Sequence, residues 1–134
     1  MTTRPMLSKV REALFNILAE RVHDARVADC FSGTGAVGLE ALSRGAAHVD
    51  FFEAGKHALG SLEHNIAHLG VAKCSTLYRS QLPGAIGTGK AWDIVIVDQP
   101  WTLALGQPVV ERLMARDRLS DSGVLVVSER RGYE

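Results

Sequence analysis

The sequence lacks the features that mark membrane, fibrous or disulfide-rich proteins. Its 134 residues contain only two cysteines, no low-complexity tract and no apolar run long enough to cross a bilayer. It has no excess of either charge, because 15 basic side chains balance 15 acidic ones. Charge balance argues against a large electrostatic contact with nucleic acid, although it leaves room for a local one. The length fits one domain with a sizeable core, and we take 1–134 as that domain.

The small number of cysteines and the lack of a signal-like segment also indicate where the protein is located and whether it binds a metal. The first residues show no charged segment followed by an apolar one, so we expect a cytoplasmic protein. Cys30 and Cys74 fall in predicted strands and suit small buried hydrophobes in a reducing compartment. The five histidines have no metal-ligand spacing, so no metal site is expected. Several basic residues gather toward the C-terminus and are interpreted as a solvated face: Arg112, Arg116, Arg118, Arg130 and Arg131.

What the sequence does contain is a glycine turn typical of cofactor sites. Gly33, Gly35 and Gly38 follow the apolar segment 27–31 with the G-x-G-x-x-G spacing. Glycine suits a strand that turns directly into a helix, because it adopts positive φ and lets a ligand lie against the backbone. About 20 residues later the next apolar segment ends in Glu53, whose carboxylate would reach a pair of ribose hydroxyls. The turn and the acid together predict a ribose-containing cofactor.

Hydrophobic periodicity predicts strands alternating with helices. The first helix carries Val10, Leu14, Ile17 and Leu18 at helical spacing and should lay these residues on the core. The glycine-rich segment 83–90 should be irregular, with at most one turn of helix. The predicted strands cover 27–31, 48–53, 74–79, 92–97 and 124–127, and the predicted helices cover 9–21, the segment from the glycine turn to Gly45, 56–69 and 107–116.

This alternation indicates an α/β fold: a doubly wound, mostly parallel Rossmann-like sheet with strand order 3-2-1-4-5. Ligands bind such sheets outside the carboxyl ends of the strands, where the order reverses between strands one and four. Gly33, Gly35, Glu53 and Asp98 should meet there. Residues 1–22 would form an N-terminal extended segment and helix, and 23–134 the cofactor-binding sheet with its helices. The fifth strand would lie at the sheet edge, where an apolar strand favours self-association.

A second candidate site follows the fourth strand. Asp98, Gln99, Pro100 and Trp101 place a carboxylate, a stiffened turn and an aromatic ring at the strand end. A nucleobase amine is a poor nucleophile, because its lone pair is delocalised into the ring. Acceptors on its N–H groups and a stacked aromatic would orient it for attack. The alternative is that Asp98 caps the turn and Trp101 belongs to the core.

Long blocks of the chain resemble one family. Arg4 and Pro5 with KVREALFN (9–16), then DCFSGTGAVGLEALSRGA (29–46), are similar to the RsmD family. Its members are S-adenosylmethionine-dependent methyltransferases of the N2 amine of a guanine in small-subunit ribosomal RNA. The resemblance continues through Phe52, Glu53, Asn65 and the strand of Asp98 to the fifth strand, and so covers nearly the whole chain.

The resemblance implies roles for individual residues. Glu53, with Ala54 beside it, would bind the ribose, and Asp98 would take part in both the cofactor and the base site. Asp98 and the Gln99 carbonyl would accept from the guanine amine, and Trp101 after Pro100 would stack on the base. The product would be S-adenosyl-L-homocysteine, and the partner ribosomal RNA or a small ribosomal subunit particle. The methionine end of S-adenosyl-L-methionine would be held by Asp29, Phe31, Ser32, Gly33, Thr34 and Gly35.

The chain also departs from the family pattern. Gln99 replaces a proline, Ser80 or Gln81 stands near the adenine where the family has an acid, and the chain looks shortened at both ends. Three alternatives therefore remain open. The chain is a non-catalytic homologue that binds protein or RNA, a methyltransferase for another substrate, or a nicotinamide dinucleotide enzyme. The glycines and Glu53 alone would allow a nicotinamide dinucleotide enzyme, but Asp29 and the 98–101 segment argue against one.

Overall fold

The computed structural model describes residues 6, 8–100 and 106–130. Helices and strands alternate along them, except that irregular residues 79–91 join the third strand to the fourth. Two short 3₁₀ turns, Ala19–Val22 and Ala72–Cys74, each lie between a helix and a strand, so that Cys74 is in a turn and not in the predicted strand. No described helix is long and apolar enough to cross a membrane. The helices are α1 (Ser8–Leu18), α2 (Ala36–Ser43), α3 (Lys56–His68) and α4 (Gly106–Ala115), and the strands are β1 (Arg26–Cys30), β2 (His48–Phe52), β3 (Ser75–Tyr78), β4 (Trp92–Pro100) and β5 (Leu119–Arg130).

The five strands form one parallel sheet in the order β3-β2-β1-β4-β5, which confirms the predicted topology. Cys30 at the end of β1 is in register with Phe52 on β2 and Val97 on β4. The strand order reverses between β1 and β4, and the carboxyl ends of both strands face the same edge. This edge is where a ligand site is expected in such a fold.

Two apolar layers cover the sheet. One contains Phe15 from α1, Val37 and Ala41 from α2, and Leu62 from α3. The other lies beneath α4 and the 83–90 loop, and includes Trp92. Successive strand residues point to opposite faces, and β4 is apolar on both: Ile94 and Ile96 belong to the first layer, and Val95 and Val97 to the second.

The buried face of α1 differs from the expected one. Leu14 and Leu18 do pack on the core, but Ile17 is 81% exposed and Val10 is 49% exposed. Phe15, which the predicted stripe left out, is 1% exposed. The helix is rotated about its axis so that this larger ring enters the core, where it buries more apolar area than Ile17 would.

Arg118 is a structural side chain and does not belong to a solvated basic face. It is 6% exposed, and its guanidinium lies 3.9 Å from the centre of the Trp92 ring. Its Nε and Nη1 donate to the carbonyls of Lys90 (2.9 Å) and Gly87 (2.6 Å). The 83–90 segment is irregular, as predicted, and Arg118 satisfies its inward carbonyls and fixes its path.

A buried polar network lies nearer the amino ends of the strands, away from the ligand edge. Asp50 on β2 is 3% exposed and accepts a 2.7 Å hydrogen bond from the Trp92 indole N–H. His48 Nε2 lies 3.3 Å and Arg26 Nη2 3.8 Å from its carboxylate oxygens. These partners offset the cost of burying the charge. Within the described part of the chain, no group of three or more His, Cys, Asp or Glu side chains is arranged to hold a metal ion.

Strand β5 is longer than the apolar segment 124–127 that predicted it. It begins at Leu119, and a register shift relative to β4 falls between Trp92 and Ile94. The first residues, Leu-Ser-Asp-Ser-Gly, resemble a loop in sequence, but an edge strand tolerates polar residues because one side faces water. Val127 on this strand is 49% exposed, and self-association through the edge stays a prediction.

The orientation of α1 gives a testable difference between neighbouring residues. We expect Phe15→Ala to lower the free energy of unfolding by about 3–5 kcal/mol, because it leaves a cavity in the core. Ile17→Ala, two positions along the same helix, should change it by less than about 0.5 kcal/mol. Urea denaturation of both variants measures the difference. Comparable losses would contradict the rotation of the helix.

Candidate active site

The turn between β1 and α2 has an unusual backbone. Phe31 (φ 66°), Gly33 (φ 59°) and Gly35 (φ 92°) all adopt positive φ. The conformation is strained for a bulky residue such as Phe31, and strain of this kind persists where surrounding contacts enforce it. The Ser32 amide donates to the Phe52 carbonyl and the Gly35 amide to the Ser32 carbonyl, both at 2.9 Å. These hydrogen bonds tie the turn to β2 and to itself.

The three glycines of the motif have different roles. A Cβ at Gly33 would meet nothing within 4 Å, so only this glycine opens onto free space. A Cβ at Gly35 would run into Leu62 of α3, and one at Gly38 would lie 2.9 Å from Val49 Cγ1 and against the Phe51 ring. Gly35 and Gly38 therefore permit close packing within the protein. Room for a ligand against the backbone, which the motif suggested for the turn as a whole, is found at Gly33.

The Glu53 carboxylate is held by two backbone amides. Its Oε1 accepts from Gly33 N–H at 2.7 Å, and its Oε2 accepts from Gly55 N–H at 2.8 Å. Each carboxylate oxygen has a second lone pair available for another donor. The carboxylate is thus oriented at the end of β2 and can still accept from two adjacent hydroxyls.

Asp29 is a buried residue of β1 whose carboxyl group reaches the first turn of α2. It is 1% exposed, its Oδ2 accepts a 3.0 Å hydrogen bond from Gly38 N–H, and Ser32 Oγ donates to its backbone carbonyl at 2.7 Å. Burial raises the pKa of Asp29 to about 7, against the opposing effect of the Gly38 hydrogen bond. Smaller parts of this rise in the pKa come from the negative charges of Asp98 and Glu53. The carboxyl therefore changes charge near neutral pH.

Asp98 shares a sheet face with Asp29. Asp29 is in register with Ile96 on β4, and Asp98, two residues further, lies on the same face diagonally across from it. Asp98 is 5% exposed. Since three carboxylates repel one another at this edge, the site favours a ligand that carries positive charge.

Gln99 stands where the family resemblance implies a proline. It is fully buried, and its side-chain nitrogen lies 2.8 Å from where a Cβ on Gly106 would be, so that the amide packs against the start of α4. Gln99 is paired with Glu129 in the β4–β5 register. The sheet therefore restrains its backbone. Pro100 ends β4, while Trp101 lies outside the described residues.

A cleft of about 250 Å³ opens beside Glu53. Residues from the ends of β1, β2 and β3 line it. Five of them were candidates from the sequence, whereas Phe52 and Leu82 were not assigned to the site. Phe52 is stacked on Tyr78 at 4.7 Å between ring centres, and its place beside Glu53 was the signal that could have identified it. The lining residues are Phe31, Phe52, Glu53, Ala54, Ser80, Gln81 and Leu82.

The strand order, the glycine turn and the acid after β2 define the fold of a class I methyltransferase. The solved structure of the Escherichia coli protein yhhF superposes with a TM-score of 0.84 at 34% identity, covering 91% of this chain and 68% of that one. A precorrin 8W decarboxylase from Methanobacterium thermoautotrophicum superposes with a TM-score of 0.78 at 25% identity, covering 92% and 63%.

The family follows from sequence. A model described as conserved hypothetical protein 95 matches residues 1–133. Ribosomal RNA small subunit methyltransferase D of Escherichia coli K12 is 35% identical over 124 residues, 92% of this chain. The chain belongs to this family, the RsmD family of ribosomal RNA methyltransferases. It spans 63% of the length of that Escherichia coli relative.

The raised pKa of Asp29 predicts a pH dependence of stability. The folded protein holds this proton up to about pH 7, whereas an unfolded chain releases it near about pH 4. The contribution of Asp29 to stability should be greatest below about pH 4, decline as the pH rises to about 7, and then level off. Asp29→Asn should remove this decline in urea denaturation series. Asp121→Asn, a change at an exposed carboxylate, serves as the control, and an unaltered decline in Asp29→Asn would contradict the assignment.

Proposed function

We propose that this chain transfers a methyl group from S-adenosyl-L-methionine to the exocyclic N2 amine of a guanine in small-subunit ribosomal RNA. The observation that carries the proposal is the Glu53 carboxylate, held by Gly33 and Gly55 beside the only motif glycine that opens onto free space. Family membership supports methyl transfer to ribosomal RNA, since the Escherichia coli relative is named for it. The guanine and its N2 atom follow from the family resemblance and from the 98–101 segment, of which Asp98, Gln99 and Pro100 end β4.

The residues at the sheet edge suit the proposed cofactor. Glu53 would accept from the two ribose hydroxyls, and the cleft beside it, with Ala54, Ser80 and Gln81, would take the adenine. Asp29 and the backbone of 31–35 would hold the methionine end, next to the amino end of α2. When bound, the cofactor supplies an electrophilic methyl group on a positively charged sulfur. The negative charge of Asp29, Glu53 and Asp98 complements that charge.

Asp98 and Gln99 would orient the target amine. The Asp98 carboxylate and the Gln99 carbonyl accept from the two N–H groups, which directs the nitrogen lone pair away from them. As the N–C bond forms and the S–C bond breaks, the nitrogen becomes positively charged; Asp98, which is buried, would stabilise that charge and receive the released proton. Trp101 would stack on the base, which has to leave its helical stack to reach the site. Catalysis is then mainly positioning, with no covalent enzyme intermediate.

The glutamine at position 99 bears on the alternative of a non-catalytic homologue. Proline fixes φ, and its replacement loses about 0.4–1 kcal/mol of backbone restraint in ordinary settings. Here the β4–β5 pairing and the packing against Gly106 supply restraint of another kind. This favours an active site over a degenerate one.

A methyltransferase with a different substrate is the second candidate. The fold alone does not fix the reaction or the substrate, since a protein of the same fold is named as a precorrin 8W decarboxylase. The two candidates share the cofactor site and differ in the substrate that would bind next to Asp98. Methylation of ribosomal RNA therefore separates them, whereas cofactor binding does not.

Cofactor binding is the first prediction of the proposal. We expect micromolar binding of S-adenosyl-L-methionine and S-adenosyl-L-homocysteine in calorimetric titration, and no comparable binding of a nicotinamide dinucleotide. Glu53→Ala should weaken binding by about tenfold or more, because two charge-assisted hydrogen bonds are lost. Glu63→Ala on α3, an exposed carboxylate paired with Arg79, should leave the affinity unchanged. A folded sample that binds neither cofactor form would refute the proposal for this chain.

Methyl transfer is the second prediction. We expect formation of N2-methylguanine, detected by mass spectrometry, in small ribosomal subunits or naked RNA that lack the modification. Asp98→Asn keeps the size of the side chain but removes its charge, and should lower the rate at saturating cofactor by about 10²-fold or more. Saturation is needed because Asp98 is also assigned to the cofactor site. If the protein binds the cofactor but forms no methylated guanine, the result would support another substrate or a non-catalytic role instead.

A further inference from the structure

Helix α3 contacts the glycine turn through a side chain that the proposed mechanism has not used. Asn65 Nδ2 donates a 3.0 Å hydrogen bond to the backbone carbonyl of Thr34, 31 positions earlier in the chain. Gly35 N–H, in the same peptide unit as that carbonyl, donates to the Ser32 carbonyl at 2.9 Å. Both polar groups of the Thr34–Gly35 peptide are therefore paired, which fixes the orientation of its plane.

The helix itself does not explain why residue 65 is an asparagine. Asparagine disfavours a helix interior, because its side chain competes for backbone hydrogen bonds. Leu62, three residues earlier on the same side of α3, is fully buried and packs where a Cβ on Gly35 would lie. Helix α3 thus meets the turn twice, through an apolar contact at Gly35 and a polar one at Thr34. The tertiary contact with the turn accounts for an asparagine that the helix itself does not favour.

We propose that Asn65 is a positioning residue for the cofactor site, acting through the Thr34–Gly35 peptide. This inference rests on the proposed function, because the turn is taken to bind the cofactor. The peptide adjoins Gly33, whose amide holds Glu53 and whose open side faces the site. Release of the Thr34 carbonyl frees the peptide to rotate, so the turn must be ordered again when a ligand binds. The free-energy cost of ordering the turn weakens cofactor binding, although no group that contacts the reacting atoms has changed.

Asn65→Asp tests the inference with little change in size. A carboxylate only accepts hydrogen bonds, so it cannot donate to the Thr34 carbonyl, and its charge repels that oxygen. We expect the dissociation constant for S-adenosyl-L-homocysteine to rise about tenfold in calorimetry at a temperature where circular dichroism shows every variant folded. In the methylation assay KM for the cofactor should rise while kcat stays unchanged, because uniform binding is lost.

Asn16→Asp provides the matched control. Asn16 is exposed on α1, and its Oδ1 accepts from Arg44 Nη1 at 3.4 Å, a role that aspartate can keep. This variant introduces the same charge and the same loss of an amide on another helix. Its dissociation constant for S-adenosyl-L-homocysteine should equal that of the unchanged protein. A change in this variant would show that added negative charge alone weakens binding.

Hydrogen exchange distinguishes a local effect on the turn from general destabilisation. In Asn65→Asp the Gly35 amide should exchange faster in the free protein and recover its protection when S-adenosyl-L-homocysteine is bound. Amides in the middle of β1 and β4 should be unaffected. Uniformly faster exchange would indicate a structural role only and would overturn the inference.

The failures of the two proposals are separable. If the unchanged protein binds no cofactor, the proposed function fails, and this inference fails with it. The other case is that the unchanged protein binds S-adenosyl-L-homocysteine and the Glu53→Ala variant does not. If the Asn65→Asp variant then binds this ligand as tightly as the unchanged protein, the proposed function stands and the positioning role of Asn65 is refuted. An equal loss in Asn16→Asp would likewise refute it, because the effect would then come from charge alone.

Discussion

The ligand edge depends on a turn that is not stable by itself. To pass directly from β1 into α2, the backbone adopts positive φ at Phe31, Gly33 and Gly35, which is costly for the aromatic residue. Hydrogen bonds from the turn to the Phe52 carbonyl and the Glu53 carboxylate hold it in place. The end of β2 therefore shapes the turn, and the turn in return orients the carboxylate that we assign to the ribose.

Electrostatics sets the second constraint on this edge. Asp29 is buried, and Glu53 and Asp98 add to the cost of its ionisation. The amide of Gly38 at the start of α2 offsets part of that cost. Such an arrangement destabilises the ligand-free protein and is relieved by a cation. The same feature that raises the pKa of Asp29 is therefore a reason for the site to bind a positively charged cofactor.

Periodicity and motif spacing predicted the main features of the fold. They failed where a choice depended on neighbours distant in the chain. The apolar spacing of α1 did not show whether Phe15 or Ile17 faces the core, because both choices leave a helical stripe. Basic residues near the C-terminus looked like a solvated face, yet Arg118 is buried over Trp92 and holds loop carbonyls.

The sequence by itself determined the alternation of strands and helices, the position of the glycine turn and the acid that follows β2, since each is encoded by local spacing. It also located Asp98 at the carboxyl-terminal part of the fourth strand, although β4 continues to Pro100 instead of ending before Asp98. Tertiary structure alone decided that Gly33 opens onto free space while Gly38 packs against Phe51. It also decided that Asn65 reaches Thr34. These outcomes depend on how α3 and β2 pack against the turn, and contacts between residues 13 positions apart (Gly38 and Phe51) or 31 positions apart (Thr34 and Asn65) leave no periodic trace in the chain.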